Sequence, residues 1–209
     1  MRGLFITLEG VDGCGKSTQA QLLAVQLREL GFSVLVTGEP GATPIGKLIA
    51  NILLDPANLE LVPMAEMLLY LADRAQHLKE TIWPALLEGW VVICTRYNDS
   101  TQAYQCWGHG LPYEEVREAC SIATQGLDPD LTVILDMEPR AALERAGGDR
   151  LEAEGLELQL KVREAYLAMA IRDPERVRIV PAQGSPEEAF NRIWHWVLHL
   201  MEENPQACP

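Results

Sequence analysis

Residues 10–17 read Gly-Val-Asp-Gly-Cys-Gly-Lys-Ser, the pattern G-x-x-x-x-G-K-[ST]. On one side stands a short β-rich apolar run, Leu4 to Leu8. On the other, Gln19 to Leu30 carries Leu22, Leu23, Val25, Leu27 and Leu30 at roughly helical spacing before Gly31 as a stop. Strand, glycine loop and helix in that order form a cradle for a polyphosphate. The backbone N–H groups of Gly10, Val11, Asp12, Gly13, Cys14 and Gly15 can curl around phosphate oxygens, and the helix that begins near Lys16 turns its positive end toward them. Lys16 then reaches the β- and γ-phosphates of a nucleotide, and Ser17, followed by Thr18, offers a hydroxyl to Mg²⁺. The alternative, a glycine turn with an idle lysine, leaves the flanking strand and helix unexplained.

The rest of the chain extends this unit into one domain. Four further β-like runs follow, Ser33 to Thr37, Trp90 to Thr95, Leu131 to Asp136 and Val177 to Pro181, each separated from the next by helical sequence. Short apolar strands alternating with helices predict a five-stranded parallel sheet covered on both faces, an α/β/α three-layer sandwich of the P-loop nucleotide-hydrolase class with ligands at the carboxyl ends of the strands. At 209 residues a single domain spanning 1–209 is the economical division. Val62 to Leu87 reads as a long helical stretch in which Pro84 marks a kink or break. Ser185-Pro186-Glu187-Glu188 has the form of a capping box and opens a final helix with Phe190, Ile193, Trp194, Val197, Leu198 and Met201 on one side, suited to core or to a dimer surface. Asn204 to Pro209 reads as a frayed tail.

A net charge of −13 argues against nucleic acid as a partner, whereas a nucleotide needs only a local cluster of cations. No apolar run approaches the roughly 18 residues of a membrane span, so no membrane partner is expected. Cys14, Cys94, Cys106, Cys120 and Cys208 show no metal or C-x-x-C spacing, which suits thiols in a reducing cytoplasm. Cys14 is expected to be a small filler inside the loop, because only the backbone there touches phosphate.

A phosphate loop alone does not separate kinases from GTPases or ATPases. An N-K-x-D guanine signature is absent, and the acceptor must be read elsewhere. Glu9-Gly10-Val11-Asp12-Gly13, Glu39-Pro40-Gly41-Ala42-Thr43, Leu71-Ala72-Asp73-Arg74-Ala75-Gln76-His77, the run Arg96 to Gln105, Pro129-Asp130-Leu131 through Asp136, and Asp149-Arg150-Leu151-Glu152 follow one another in an order that resembles the thymidylate kinases. The resemblance runs from about residue 3 to residue 195. It implies transfer of the γ-phosphoryl of ATP to thymidine 5′-monophosphate (dTMP), Mg²⁺, and a homodimer.

By that resemblance Arg96 holds the monophosphate. Tyr70 stacks on the thymine, and Arg74, on the same helix face at i, i+4, donates to a base oxygen. Glu39 and Pro40 belong to the substrate site, Ser100 and Thr101 approach the base, and Tyr104 crowds the sugar C2′. Asp12 is assigned to the acceptor sugar's 3′-hydroxyl and the metal shell, with an Asx turn as the plainer alternative. A lid near 144–156 would close over the phosphates, Arg150 neutralising the transferring phosphoryl with help from Arg145, while adenine sits near Ala182-Gln183-Gly184.

The match has departures. The family usually has arginine where Gly38 stands and aspartate where Thr95 stands, and the lid is short and acidic. Two rivals remain open: a deoxynucleoside kinase using Glu39 as base, and a nucleotide-binding protein without turnover.

Overall fold

The computed structural model describes residues 2–145, 150 and 155–207. The chain runs β1 (Phe5–Glu9), α1 (Lys16–Glu29), β2 (Val34–Gly38), α2 (Pro44–Leu54), α3 (Pro63–His77), α4 (Trp83–Leu87), β3 (Val91–Thr95), α5 (Asn98–Thr101), α6 (Tyr113–Thr124), β4 (Leu131–Asp136), α7 (Pro139–Leu143), α8 (Leu156–Arg172), β5 (Val177–Pro181) and α9 (Pro186–Glu203). The described residues form one five-stranded sheet of order β2-β3-β1-β4-β5, with every pairing parallel. The five expected strands are all present, each within one residue of its expected limits.

β1 is central and buried on both sides, which is why it reads as an unbroken apolar run. Its alternate residues serve different layers: Ile6 and Leu8 pack with Leu23, Leu27, Ile193 and Val197, whereas Phe5 packs with Leu78, Ile82, Leu86 and Tyr97. Final-helix residues Phe190, Trp194 and Met201 are partly buried against the first of these layers, so that stripe is mainly core.

Local sequence sets the helix ends. Gly15, at φ 101°, is the N-cap of α1 in a backbone conformation that a side chain would strain. At α9 the expected capping box is complete: Ser185 Oγ accepts from Glu188 N–H, Glu188 Oε2 accepts from Ser185 N–H, and Pro186 occupies the first turn. The irregularity in the long helical stretch falls before Pro84 rather than at it, and the backbone stays right-handed throughout. Residues Leu78–Ile82 form a π turn, and α4 restarts with Pro84 in its first turn. The wider turn accommodates the proline, which lacks an N–H and whose ring crowds the carbonyl four residues back. A second π segment, Gln102–Gly108, continues α5 and carries Tyr104 and Gln105. Of the expected tail, Pro205–Ala207 forms a 3-10 turn, and residues 208–209, with Cys208, lie outside the described residues.

Glu9 ends β1 fully buried and ties three elements together. Its carboxylate accepts from Tyr97 N–H at 2.7 Å, Ser100 Oγ at 2.5 Å and Tyr166 O–H at 3.2 Å. Burial, and then the neighbouring Asp99, push its carboxyl up to about 7, against the opposing pull of Ser100, Arg96 and Lys16. Between the ordinary value of 4.5 and about 7 the folded state therefore holds a proton that the unfolded chain has lost. Stability should fall as pH rises through that window, by at most on the order of 3 kcal/mol. Glu9→Gln should flatten this slope in urea-unfolding midpoints measured from pH 4.5 to 8; an unchanged slope would place the titration elsewhere.

Candidate active site

Two cavities open side by side at the carboxyl ends of the strands. The larger, of about 540 Å³, follows the loop after β1: Gly13, Cys14, Gly15, Lys16, Ser17 and Thr18 line it, with Thr95, Arg145, Ala182, Gly184 and Pro186 around the rest. Lys16 is 9% exposed, and its Nζ donates to the carbonyls of Gly10 and Val11, both at 2.9 Å, which holds the ammonium across the mouth of the loop. Gly10 and Val11, the first two residues of the loop, do not line this cavity. A Cβ at Gly10 would meet the Leu135 carbonyl at 2.6 Å, so that glycine lets the loop pack against β4. Cys14 is buried in the core, the filler its position implied.

The second cavity, of about 270 Å³, gathers every residue expected at the acceptor. Glu39, Pro40 and Tyr70 line it with Arg74 and Arg96, and Ser100, Thr101 and Tyr104 complete that set. Leu54, which no motif flagged, and Gln105, which ends the quoted run from Arg96 but was given no role, line it too. A half-buried tyrosine ring beside two arginines suits a planar base carrying an anion. Arg74 is 1% exposed and already engaged: Nε donates to Glu39 Oε2 at 2.7 Å and Nη1 to Thr101 Oγ1 at 2.8 Å, with Asn98 Oδ1 at 3.2 Å. His77 lies on the far side of Glu39, Nδ1 3.0 Å from Oε1, and Thr37 Oγ1 is 2.7 Å from its Nε2. Glu39, His77 and Cys94 cluster closely enough to suggest metal ligands, yet Arg74 and His77 already take both carboxylate oxygens. Glu39 and His77 form a hydrogen-bonded brace for Arg74, while the Cys94 thiol donates elsewhere, to the Arg96 carbonyl at 3.2 Å.

Asp12, Glu39 and Arg96 line both cavities and so mark their junction. Arg96 follows β3 directly, with its N–H bonded to Leu8 O at 3.1 Å and its backbone at φ 68°. For a side chain as large as arginine that left-handed conformation is strained, and such strain concentrates at working sites. Arg96 Nη2 pairs with Asp12 Oδ1, and its guanidinium lies over the Tyr104 ring, 5.2 Å from the centroid. Tyr104 O–H donates to Asp12 Oδ2 at 2.7 Å. Burial alone would raise the Asp12 carboxyl, but Arg96, then Lys16, Tyr104 and Gln159, outweigh it and hold it at about 2. Asp12 is therefore a fixed anion between two cations at neutral pH.

Other expected residues fall away from this junction. Gln183 does not line the donor cavity; its carbonyl accepts from Arg192 Nη1 at 3.2 Å. Arg150 is 6% exposed and docks below the acceptor cavity, with Nε on Leu53 O at 2.9 Å and Nη2 paired with Glu66. Residues 146–149 and 151–154 of the expected lid lie outside the described residues. The two departures prove to be one: Gly38 and Thr95 are register partners across β2 and β3, and a Cβ at 38 would collide with Thr95 Oγ1. Gln159, fully buried on α8 and bonded to Asp12, carries no sequence signal at all.

Comparison with known proteins agrees with this geometry. The family model described as Thymidylate kinase matches residues 8–193. The chain is 47% identical over 194 residues to a thymidylate kinase of Synechococcus sp. (strain JA-2-3B'a(2-13)), covering 91% of this chain and 92% of that one. It is 49% identical over 197 residues to that of Carboxydothermus hydrogenoformans, covering 92% and 96%. A crystal structure of thymidylate kinase from Ehrlichia chaffeensis superposes with a TM-score of 0.79 at 27% identity, covering 94% of this chain and all of that one. With its phosphate loop, its two joined cavities and this coverage, the chain belongs to the thymidylate kinase family.

Proposed function

We propose that the protein transfers the γ-phosphoryl of ATP to thymidine 5′-monophosphate, with the donor in the larger cavity and the acceptor in the smaller. The observation that carries this reading is the junction: Asp12, Glu39 and Arg96 face both cavities, so a group bound in one can be passed to the other. An acceptor phosphate oxygen is already anionic at neutral pH, and the step needs no strong base. It needs cations that let two phosphates approach, in a site that excludes water.

Arg96 is the cation for the acceptor phosphate, and Lys16 with the amino end of α1 serves the donor. Arg145, which lines the donor cavity, is the lid-side cation, whereas Arg150 reaches the phosphates only by leaving Glu66. Tyr70 supplies a stacking face for thymine, and Arg74, braced by Glu39 and His77, presents its charge to the base edge. Tyr104, pinned by Asp12, walls the sugar side. Gly184 and Pro186 bound the region assigned to adenine.

Mg²⁺ suits the donor cavity, because Ser17 presents a hydroxyl oxygen beside the phosphate loop and this ion needs few protein ligands; the ionised Asp12, whose oxygens Arg96, Tyr104 and Gln159 already take, would act on it only through the ion's own water shell. Bound there with the nucleotide, it would neutralise phosphate charge.

A homodimer fits the surface. Leu48 and Ile52 on α2 and Met64 and Leu68 on α3 are exposed, with Leu59 and Val62 between them, while Met67 and Leu71 turn inward. The apolar Val62–Leu71 stretch thus serves both core and surface, and α2 packs on α3 to make the outer face continuous. Leu48→Asp combined with Leu68→Asp should halve the mass in light scattering; a parent protein already monomeric at micromolar concentration would remove the dimer. Cys14, Cys94, Cys106 and Cys120 are all free thiols, which accords with a reducing cytoplasm. No helix among the described residues is long and apolar enough to cross a membrane.

The reading is tested by steady-state ADP production with ATP, Mg²⁺ and either thymidylate, deoxyuridylate, uridylate or thymidine. Thymidylate should be preferred, and Arg96→Ala should lower its kcat/KM by at least about 100-fold. Activity on thymidine alone would instead make Glu39 a base, and silence with every acceptor would leave a binding protein.

A further inference from the structure

Gln159 is fully buried, yet it presents a polar amide where packing alone would favour leucine. It lies in the first turn of α8, the helix that follows the lid segment. Its Oε1 accepts from the backbone N–H of Asp12 at 3.3 Å, and its Nε2 donates to Asp12 Oδ2 at 3.2 Å. One amide therefore grips both the main chain and the carboxylate of a single residue. Only this orientation of the amide gives the Asp12 N–H an acceptor and its carboxylate a donor. Tyr104 O–H, 3.5 Å from Oε1, closes the group.

The contact belongs to a row. Arg163, four residues on, chelates Asp136 at the end of β4 with bonds of 2.6 and 2.9 Å, and Tyr166, seven residues on, donates to Glu9 at the end of β1. Residues 159, 163 and 166 share one face of α8. Each binds a carboxylate at the carboxyl edge of the sheet, in the loop after β1, at the end of β4 or at the end of β1. Arg163 and Tyr166 fasten the helix to the frame, and Gln159 alone acts on the junction between the cavities.

We propose that Gln159 is a positioning residue for phosphoryl transfer: it fixes the Asp12 carboxylate against Tyr104 and Arg96 and registers the helix behind the lid to the acceptor site. Without it, the Asp12 carboxylate keeps only Tyr104 and Arg96 and is drawn toward Lys16, its other cationic neighbour, which loosens its contacts with both. The acceptor then loses its pre-set phosphate and sugar contacts, while on the donor side Lys16 keeps its own bonds to Gly10 and Val11. This inference rests on the junction being the acceptor site of a thymidylate kinase.

The test uses chemistry that a merely structural role would not show. In the variant Gln159→Glu the new carboxyl, while protonated, offers a C=O and an O–H where the amide offers a C=O and an N–H. Ionised, it faces Asp12 with a second negative charge. Its titratable contacts are Asp12 of the loop and Tyr104 of the π segment; Lys16 of the loop and Arg96 after β3 act on Asp12, and Tyr166 of α8 couples Tyr104 and Arg96 to Glu9 at the end of β1. Glu9 titrates in every variant, so the informative quantity is the difference from wild type.

Measured from pH 5.5 to 8.5, Gln159→Glu should approach wild-type kcat/KM for thymidylate at the acid end. It should lose at least about tenfold more than wild type as pH rises, the scale of one hydrogen bond to a charged group. Gln159→Leu should raise the KM for thymidylate by about tenfold at every pH and leave the KM for ATP within about twofold. Thermal unfolding of each variant separates these effects from loss of fold. A Gln159→Glu profile parallel to wild type, or equal changes in both KM values, would overturn the proposal. If wild type itself fails to phosphorylate thymidylate, the assignment of the acceptor site falls instead.

Discussion

Asp12 and Arg96 meet across the carboxyl end of the sheet, and a large part of the molecule holds that ion pair in place. A carboxylate and a guanidinium taken out of water lose hydration that their mutual attraction only partly offsets, so such a pair is weak evidence for stability. Here it is over-determined. Arg96 sits in a left-handed backbone conformation that costs on the order of 1 kcal/mol, held by the bond from its N–H to Leu8 and by the next residue's N–H on Glu9. Asp12 is gripped by Tyr104 and Gln159 as well. Such prepayment in the free protein is what lets fixed charges act on a substrate without reorganisation.

The same pair resolves an electrostatic difficulty. The chain carries a net charge of −13, and both proposed substrates are anions. Attraction therefore has to be local. Lys16 and Arg145 face one cavity, Arg74 faces the other, and Arg96 faces both. Asp12 and Glu39, the carboxylates at the junction, are each paired with these cations, which keeps the guanidinium groups oriented and partly compensated until a phosphate competes for them.

What the sequence disclosed and what it hid follow from the range of the interactions. Strands β1 to β5 were legible because a parallel sheet buried on both faces needs short uninterrupted apolar runs, and the start of α9 because Ser185, Pro186 and Glu188 satisfy its ends locally. The phosphate loop was legible because its glycines and lysine act within eight residues. The acceptor set, from Glu39 to Tyr104, was legible through resemblance, since no local pattern joins residues that far apart. Gln159 was not: its bond to Asp12 spans 147 positions, and a glutamine in a helix announces nothing. Nor was Arg150's partner, because Glu66 lies on α3 and only the fold brings them together. An irregularity near Pro84 was foreseen, but it falls earlier, since the preceding turn widens to accept the proline.

The most direct measurement of the central claim, that the Arg96–Asp12 junction is set to receive an acceptor phosphate, is calorimetric binding of thymidine 5′-monophosphate and of thymidine to the protein without donor nucleotide. Both ligands share the base and sugar, and they differ only in the group that Arg96 would take. The account predicts that the monophosphate binds at least about 100-fold more tightly, the scale of a bidentate charged contact, with an affinity that declines as salt is added. Equal affinities, insensitive to salt, would contradict it.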